Sequence, residues 1–374
     1  MNINKPKKPF FSSGPCNKHP NYNISLLERA FTSRSHRSKD GVKRYNKMVG
    51  LTREILNIPE NFFICMIMGG CTAAMETAIW NLLGYIDIDS IVMDPFSKKW
   101  YSDIVDELKL DKKVNVNVNM CKYGNSPKNI KHNPKNDIIF VWNATPTGVY
   151  IPNLNWIKNK REGLVIVDGT SITFGLPVDW DKIDVLAYSW QKILGGEAGH
   201  GMLILSERAI KRLEIYTPEY PIPTLYQLKK NNKIKYQIFK GGTNNTFSFI
   251  ALEDHLMALE WVKDIGGVKS LSKKIINNYN EIKKWVHKSD WVNFVLSEEY
   301  KEFRSPINSC IEIKNIQRED LIKILEENKV AYDIKGHKSM PSNIIRIWNG
   351  PTVDIDDIKY LLEWLDSIYI ELSI

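Results

Sequence analysis

Between Phe62 and Leu205 one pattern recurs: a short apolar run, rich in β-branched residues, stops at small or polar residues and gives way to helical spacing. The runs lie at 62–68, 91–94, 114–118, 138–142, 164–167, 185–188 and 201–205. Continuous apolar runs of this length fit strands buried on both faces, and strand–helix alternation fits a mostly parallel sheet covered by helices on each side. The expectation is an α/β fold with a large seven-stranded sheet. From about Asp264 the pattern shifts to helices at 268–286, 318–327 and 355–368 and strands at 292–296, 309–313 and 344–348, which reads as a smaller α+β unit. A chain of 374 residues is long enough for both. The expected division is an N-terminal arm over 1–20, a large domain over 21–263 and a small C-terminal domain over 264–374.

The run at 185–188 delivers Lys192 into the small-residue stretch Gly195-Gly196-Glu197-Ala198-Gly199. A lysine there is either a surface group in a flexible turn or an amine held in a pocket. In a pocket, burial and a nearby cation would lower its pKa and make it nucleophilic. Two other stretches favour the pocket. Val165-Ile166-Val167-Asp168 is followed by Gly169-Thr170-Ser171, so Asp168 stands at the carboxyl end of a buried strand, where open α/β sheets form their ligand crevice. Gly69-Gly70-Cys71-Thr72 opens a helical pattern after the run at 62–68, so free backbone N–H groups and the positive helix end are placed to hold a phosphate. A phosphate cup, a strand-end acid and a pocket lysine, in that order, are the parts a pyridoxal 5′-phosphate enzyme needs. The lysine forms the Schiff base, the acid keeps the pyridine nitrogen protonated, and the helix end anchors the phosphate.

Four segments carry a resemblance: Phe11-Ser12-Ser13-Gly14-Pro15, Ser33-Arg34-Ser35-His36-Arg37-Ser38, Asp168-Gly169-Thr170-Ser171 and Ser189-Trp190-Gln191-Lys192. In order and spacing the chain resembles the phosphoserine aminotransferase family, within the class V, fold type I aminotransferases, from about residue 10 to its C-terminus. That resemblance implies the fold type I architecture, a large domain built on a mostly parallel seven-stranded sheet with a smaller α+β domain. It implies amino transfer from L-glutamate to 3-phosphohydroxypyruvate, giving 2-oxoglutarate and O-phospho-L-serine in serine synthesis. 4-Phosphohydroxythreonine, of vitamin B6 synthesis, is a second candidate substrate.

The resemblance also implies roles. Lys192 and Asp168 are the catalytic pair, and Gly70, Cys71, Thr72 and Gln191 surround the cofactor phosphate. Cys71-Thr72 departs from the residues relatives often carry there, although backbone amides can still bind. Trp100 is expected to stack on the cofactor ring; a core tryptophan under a helix reaching Leu108 is the competing reading. Thr145, on Asn143-Ala144-Thr145-Pro146-Thr147-Gly148, is expected to bond the phenolic oxygen or the phosphate. Asn245 and Thr246 match a pair that reaches the cofactor phosphate of the neighbouring subunit of a homodimer; read alone, they could cap the following helix. His36 and Arg37 are expected at the substrate phosphate, again across a dimer interface, though a basic loop is usually just solvated. Arg346, inside an apolar strand, is either one arm of a structural salt bridge or a fork for the substrate α-carboxylate. His337 and Lys338 are expected near the distal phosphate.

Composition narrows the alternatives. The net charge of +8 invites a nucleic-acid reading, but the excess is scattered in Asn- and Lys-rich stretches such as 131–135 and 230–235, with no binding motif beside them. Five cysteines, at 16, 65, 71, 121 and 310, lack the pairing of a disulfide framework or a zinc site, so no metal is expected and a reducing compartment fits. No stretch has the uninterrupted apolar length of a membrane span. The basic segment 1–8 is followed by Pro9 and two Phe, unlike a signal peptide, so the expected location is the cytoplasm. A cysteine desulfurase would need a nucleophilic cysteine on a mobile loop, whereas Cys310 falls in an apolar strand pattern. Serine– or alanine–glyoxylate aminotransferases, the closer rivals, have no need of the His36-Arg37 loop.

Overall fold

Seven apolar runs pair into one sheet. Counting the strands of the two larger sheets, they are β1 (Phe63–Met68), β2 (Ile88–Val92), β3 (Val116–Met120), β4 (Asp137–Val141), β5 (Val165–Asp168), β6 (Val185–Ser189) and β7 (His200–Leu205). The order across the sheet is β1-β7-β6-β5-β4-β2-β3. All neighbours from β6 to β3 are parallel, and β7 alone runs the other way, antiparallel to both β6 and β1. The computed structural model describes residues 3–127, 130 and 132–373; Lys131, in one of the basic stretches, lies outside them, as do the first two residues of the arm.

Strands β4 to β7 are buried along their whole length, which is why their sequence is continuously rather than alternately apolar. The edge strand β3, with its Val–Asn alternation, is half-buried to exposed. Helices α1 (Lys39–Leu56), α2 (Gly70–Leu82), α3 (Pro95–Ser102), α4 (Glu207–Ile215) and α5 (Phe249–Asp264) accompany the sheet. Strand β2 ends two residues before Asp94, which the sequence pattern had placed within the strand. Asp94 instead accepts from the Ser97 amide at 2.7 Å and begins α3 as a capping box, with Pro95 at the first helical position. The helical path runs on to a cap at Leu108, as expected, but not as α-helix throughout. It passes after Ser102 into a π-type turn, Asp103–Glu107, whose Asp103 carboxylate takes the Trp80 indole N–H at 3.1 Å.

The C-terminal part has its own antiparallel sheet, β8 (Val292–Phe294), β9 (Asn308–Ile313) and β10 (Ile344–Trp348), with helices α6 (Gly267–Lys288), α7 (Arg318–Glu327) and α8 (Ile355–Leu372). The arm lies against it. Lys7 N–H donates to Asp357, Phe11 N–H donates to the Tyr332 carbonyl, and Phe11 O accepts from Trp348 N–H. The arm then crosses to the large sheet, where Cys16 N–H donates to the Gln191 carbonyl at 2.9 Å.

One buried ion pair joins α4 to the start of β4. Arg212 donates to both Asp137 carboxylate oxygens, at 2.7 and 3.2 Å, and to the Leu82 carbonyl. Removing the guanidinium strands a buried carboxylate, so Arg212→Ala is expected to cost about 3–5 kcal/mol of stability. The measurement is a urea unfolding curve, and a midpoint equal to wild type would show that the pair carries no such load.

Candidate active site

Strands β5 and β6 are parallel neighbours, with Asp168 opposite Ala187. Their carboxyl ends therefore open into the same crevice: Asp168 closes β5, and Lys192 follows three residues after β6 ends at Ser189. A cavity of about 340 Å³ occupies that crevice, within the usual range for small-molecule sites. Its wall contains Gly70, Cys71, Thr72, Trp100, Thr145, Asp168, Gln191 and Lys192, so eight of the expected site residues meet there from five separate stretches of chain. Gly69, Phe96, Asn143, Ser189, Ala198 and Gly199 line it too. A larger groove of about 660 Å³ between the end of α1 and the start of α6 contains none of the expected residues.

The Lys192 amine donates to the Ser13 carbonyl of the arm. Burial is the main cause that pulls its pKa below the ordinary lysine value; Cys16 opposes it, the Arg346 guanidinium pulls the same way as burial, and Asp168 and Cys71 oppose by smaller amounts. Gly14 is required beside it: a Cβ there would fall 2.5 Å from Nζ, at a backbone φ of +141. Two residues before the lysine, the Trp190 indole is sandwiched between His255 and His200, with ring centroids 4.4 and 4.7 Å away. Nothing in the local sequence pattern marks those histidines, because the three rings come from separate elements.

Asp168 is buried and held by three donors. Trp100 Nε1 reaches Oδ2 at 3.1 Å; the Thr170 amide and the Cys71 thiol reach Oδ1 at 3.0 and 3.4 Å. Trp100 thus faces the cavity and is also a core residue, so the two readings of it are not exclusive. At the start of α2, the amides of Gly69 and Gly70 are both donated to the Gly199 carbonyl, at 2.8 and 3.2 Å. Gly70 therefore lines the cup with its N–H already engaged. The amides of Cys71 and Thr72 take no backbone acceptor among the described residues, and these are the donors left to an anion. Thr145 uses its carbonyl to accept from Asn308 and Cys310. Asn143, read as turn structure, donates to Ser171 at 2.8 Å and shares the cavity wall.

Arg346 sits half-buried on β10 opposite Cys310. It makes no ion pair among the described residues, and its Nε is buried without a partner. The structural salt bridge offered as its alternative role is therefore not found there. His337, at the cavity side of the C-terminal sheet, approaches Phe96 with ring centroids 6.2 Å apart and bonds Ser339 at 2.8 Å. Burial and then the Arg346 and Lys338 charges lower its pKa; Lys338 itself is exposed.

Seven expected residues are not among those that line the cavity: Arg346, His337 and Lys338, and the four residues His36, Arg37, Asn245 and Thr246. Asn245 and Thr246 are exposed, with the Asn245 side chain bonding the Thr246 amide at 2.8 Å. Arg37 is exposed. His36 is buried edge-on against Phe247, 5.5 Å between centroids, so the alternative of a solvated basic loop does not describe it. That aromatic contact excludes water from the imidazole, and burial lowers its pKa. Cys310 is tied to the Thr145 and Pro146 carbonyls at 3.5 Å, and burial pushes its thiol up to about 12, the opposite of a mobile nucleophile.

The family model described as aminotransferase class V matches residues 22–350. The chain belongs to the class V aminotransferases. Its cofactor is accordingly pyridoxal 5′-phosphate, and the cavity suits that group: Ser189 Oγ, Gln191 Oε1 and Asn143 Oδ1 are buried there without partners, around a fixed carboxylate and two free helix-end amides. Among curated relatives of this aminotransferase, the phosphoserine aminotransferases of Methanosarcina mazei and Methanosarcina barkeri are each 42% identical over 366 residues, 97% of this chain and 97% of theirs. Among solved structures, a phosphoserine aminotransferase from Cytophaga hutchinsonii superposes with a TM-score of 0.84 at 22% identity, covering 96% of this chain and 98% of that one. Ureidoglycine–glyoxylate aminotransferase from Bacillus subtilis gives 0.79 at 16%, covering 100% and 96%. At these identities the structures speak for the fold.

The lowered pKa of Lys192 has a direct reading. A neutral amine should appear at lower pH than for an ordinary lysine, since less alkali is needed to remove its proton. Borohydride trapping of pyridoxal phosphate on the apo chain, followed by peptide mapping, is expected to label Lys192 with a pH midpoint below 10.5. A midpoint at or above that value would contradict the cavity described.

Proposed function

We propose that the chain transfers an amino group between L-glutamate and 3-phosphohydroxypyruvate, giving 2-oxoglutarate and O-phospho-L-serine. The observation that carries the substrate choice is the 42% identity over 97% of the chain to curated phosphoserine aminotransferases. Pyridoxal 5′-phosphate supplies the electron sink for charge left on the substrate Cα as its proton departs. The chain's residues do the rest. Lys192 would be the attachment point and, when free, the base that takes up and returns the proton of the substrate Cα. Asp168 would pair with the ring nitrogen, Trp100 would flank the ring, and Thr145 would offer its hydroxyl to the oxygen substituents. The amides of Cys71 and Thr72, with Gln191, hold the phosphate.

Arg346 supplies an unpaired fork for the α-carboxylate, with His337 and Lys338 on the side where the second acidic group of either substrate would lie. His36, Arg37, Asn245 and Thr246 are absent from their own chain's cavity, which supports the reading that they complete the site of a second copy in a homodimer. The arm over 1–20, the division at 263–264 and a cytoplasmic location belong to the same reading. It is supported by the contacts of the arm with the C-terminal sheet and by the lack, among the described residues, of any helix long and apolar enough to cross a membrane.

A glyoxylate-type aminotransferase shares the fold, as the Bacillus subtilis structure illustrates, so substrate decides. With the reconstituted enzyme, O-phospho-L-serine is expected to bleach the visible band of the bound cofactor while L-serine and L-alanine leave it. Bleaching by the latter two alone would transfer the assignment to the glyoxylate group. Lys192→Ala should keep its unfolding midpoint and lose turnover by roughly 10²–10⁴-fold.

Subunit exchange tests the shared site. Lys192→Ala and the double variant Asn245→Ala/Thr246→Ala, each inactive alone, are expected to recover about a quarter of wild-type activity when mixed. Half of the dimers are then mixed, and each mixed dimer holds one intact site. Absence of recovery would return both residues to the site of their own chain.

A further inference from the structure

We propose that Cys71 is a positioning residue for Asp168, its thiol serving as the hydrogen-bond donor that fixes the carboxylate in register for the cofactor's ring nitrogen. This rests on the reading of Asp168 as the ring partner. A carboxylate offers about four acceptor positions. Three are filled: the Cys71 thiol at 3.4 Å and the Thr170 amide at 3.0 Å on Oδ1, and Trp100 Nε1 at 3.1 Å on Oδ2. The position left is on Oδ2, and a ring N–H is the donor that would fill it.

The thiol must stay protonated to donate, and its surroundings ensure that. A cysteine in the first turn of a helix is ordinarily pushed toward the thiolate. Here burial first and the Asp168 charge second raise the thiol well above its ordinary value, against smaller opposing contributions from Thr170 and Lys192. The same facts argue against a reactive or redox-modified cysteine at this place, because a thiol so held is a poor nucleophile.

What sets Cys71 apart from the other two donors is where it comes from. Thr170 lies two residues after Asp168, and Trp100 belongs to α3. Cys71 belongs to α2, the helix whose free Cys71 and Thr72 amides face the phosphate position. Ring nitrogen and phosphate are a fixed distance apart in the cofactor, so the acid and the helix end have to keep one spacing. A single thiol joins them.

The test compares reconstituted wild type, Cys71→Ala and Cys71→Ser. Serine keeps a donor at the same place; alanine removes it. For Cys71→Ala, cofactor affinity is expected to fall by about 10-fold or more, as for loss of one hydrogen bond to a charged group. The pH midpoint of the bound cofactor's visible absorbance is expected to rise by about half a unit, because a carboxylate relieved of a donor keeps more negative charge facing the cationic form. Cys71→Ser should return both quantities to near wild type. Equal affinity and midpoint in wild type and Cys71→Ala would overturn the proposal, and so would a serine variant that behaves as alanine does. Apo Cys71→Ser is expected to unfold with apo wild type, and apo Cys71→Ala below both, since a buried carboxylate loses a donor; a fall in apo Cys71→Ala with cofactor affinity and midpoint unchanged would mark the thiol as a packing group and overturn the proposal. If wild type itself never develops the visible band, the reading of Lys192 and Asp168 is what fails.

Discussion

Two basic groups, Lys192 and Arg346, are brought near one another where the two sheets meet, and neither makes an ion pair among the described residues. Among the described residues the amine has a backbone carbonyl for a partner, and the guanidinium keeps a buried nitrogen with none. Partly burying charge without a counterion is costly, and such an arrangement persists only when the surrounding fold over-determines it. The surroundings do so here. Lys192 is pinned by the arm at Ser13 and by the absence of a side chain at Gly14, while Arg346 is pinned by the ladder between β9 and β10. The deficit of negative charge is then an affinity for anionic ligands built in before any ligand arrives.

The loop that carries the lysine is held from beneath by uncharged rings. Burial brings His200 down to about 4 and His255 to about 3, so at neutral pH both imidazoles lie against Trp190 as neutral plates. On the outer side, Lys18 bridges Asp254 at 2.8 Å and Glu197 at 2.6 Å, and Asp254 also takes the Glu197 amide at 2.7 Å. Arm, glycine loop and α5 are thereby joined at one point. Gly195 makes the approach close enough, since a Cβ there would overlap the Asn17 carbonyl.

Much of this was legible in the sequence because burial on both faces of a parallel sheet writes itself as continuous apolar runs. The ends of those runs, Asp168 and the lead-in to Lys192, are where the ligand crevice of such a sheet must lie. Less legible was whatever depends on which atoms meet across distant stretches. Nothing in the run at 201–205 announces that β7 is reversed, because apolar burial has no direction. The engagement of Gly70 by Gly199, the thiol on Asp168, and the burial of His36 against Phe247 are likewise contacts between separate segments. The missing partner of Arg346 was the hardest to foresee, since a sequence shows the charge but not the empty place beside it. Helix ends were legible only where a cap was recognised; Asp94 looked like the last residue of a strand and is the first cap of α3.

The reversed strand has a consequence for how the protein is made. Phe63 pairs with Leu205, so β1 waits on the ribosome as an unpaired apolar segment until β7 has emerged. The Gly199 carbonyl that organises the start of α2 arrives with it. Arg346 and the strand that receives the arm come later still. The cavity wall is drawn from residues 69–199, so it cannot close before the lead-in to β7 has emerged and β7 has paired with the waiting β1.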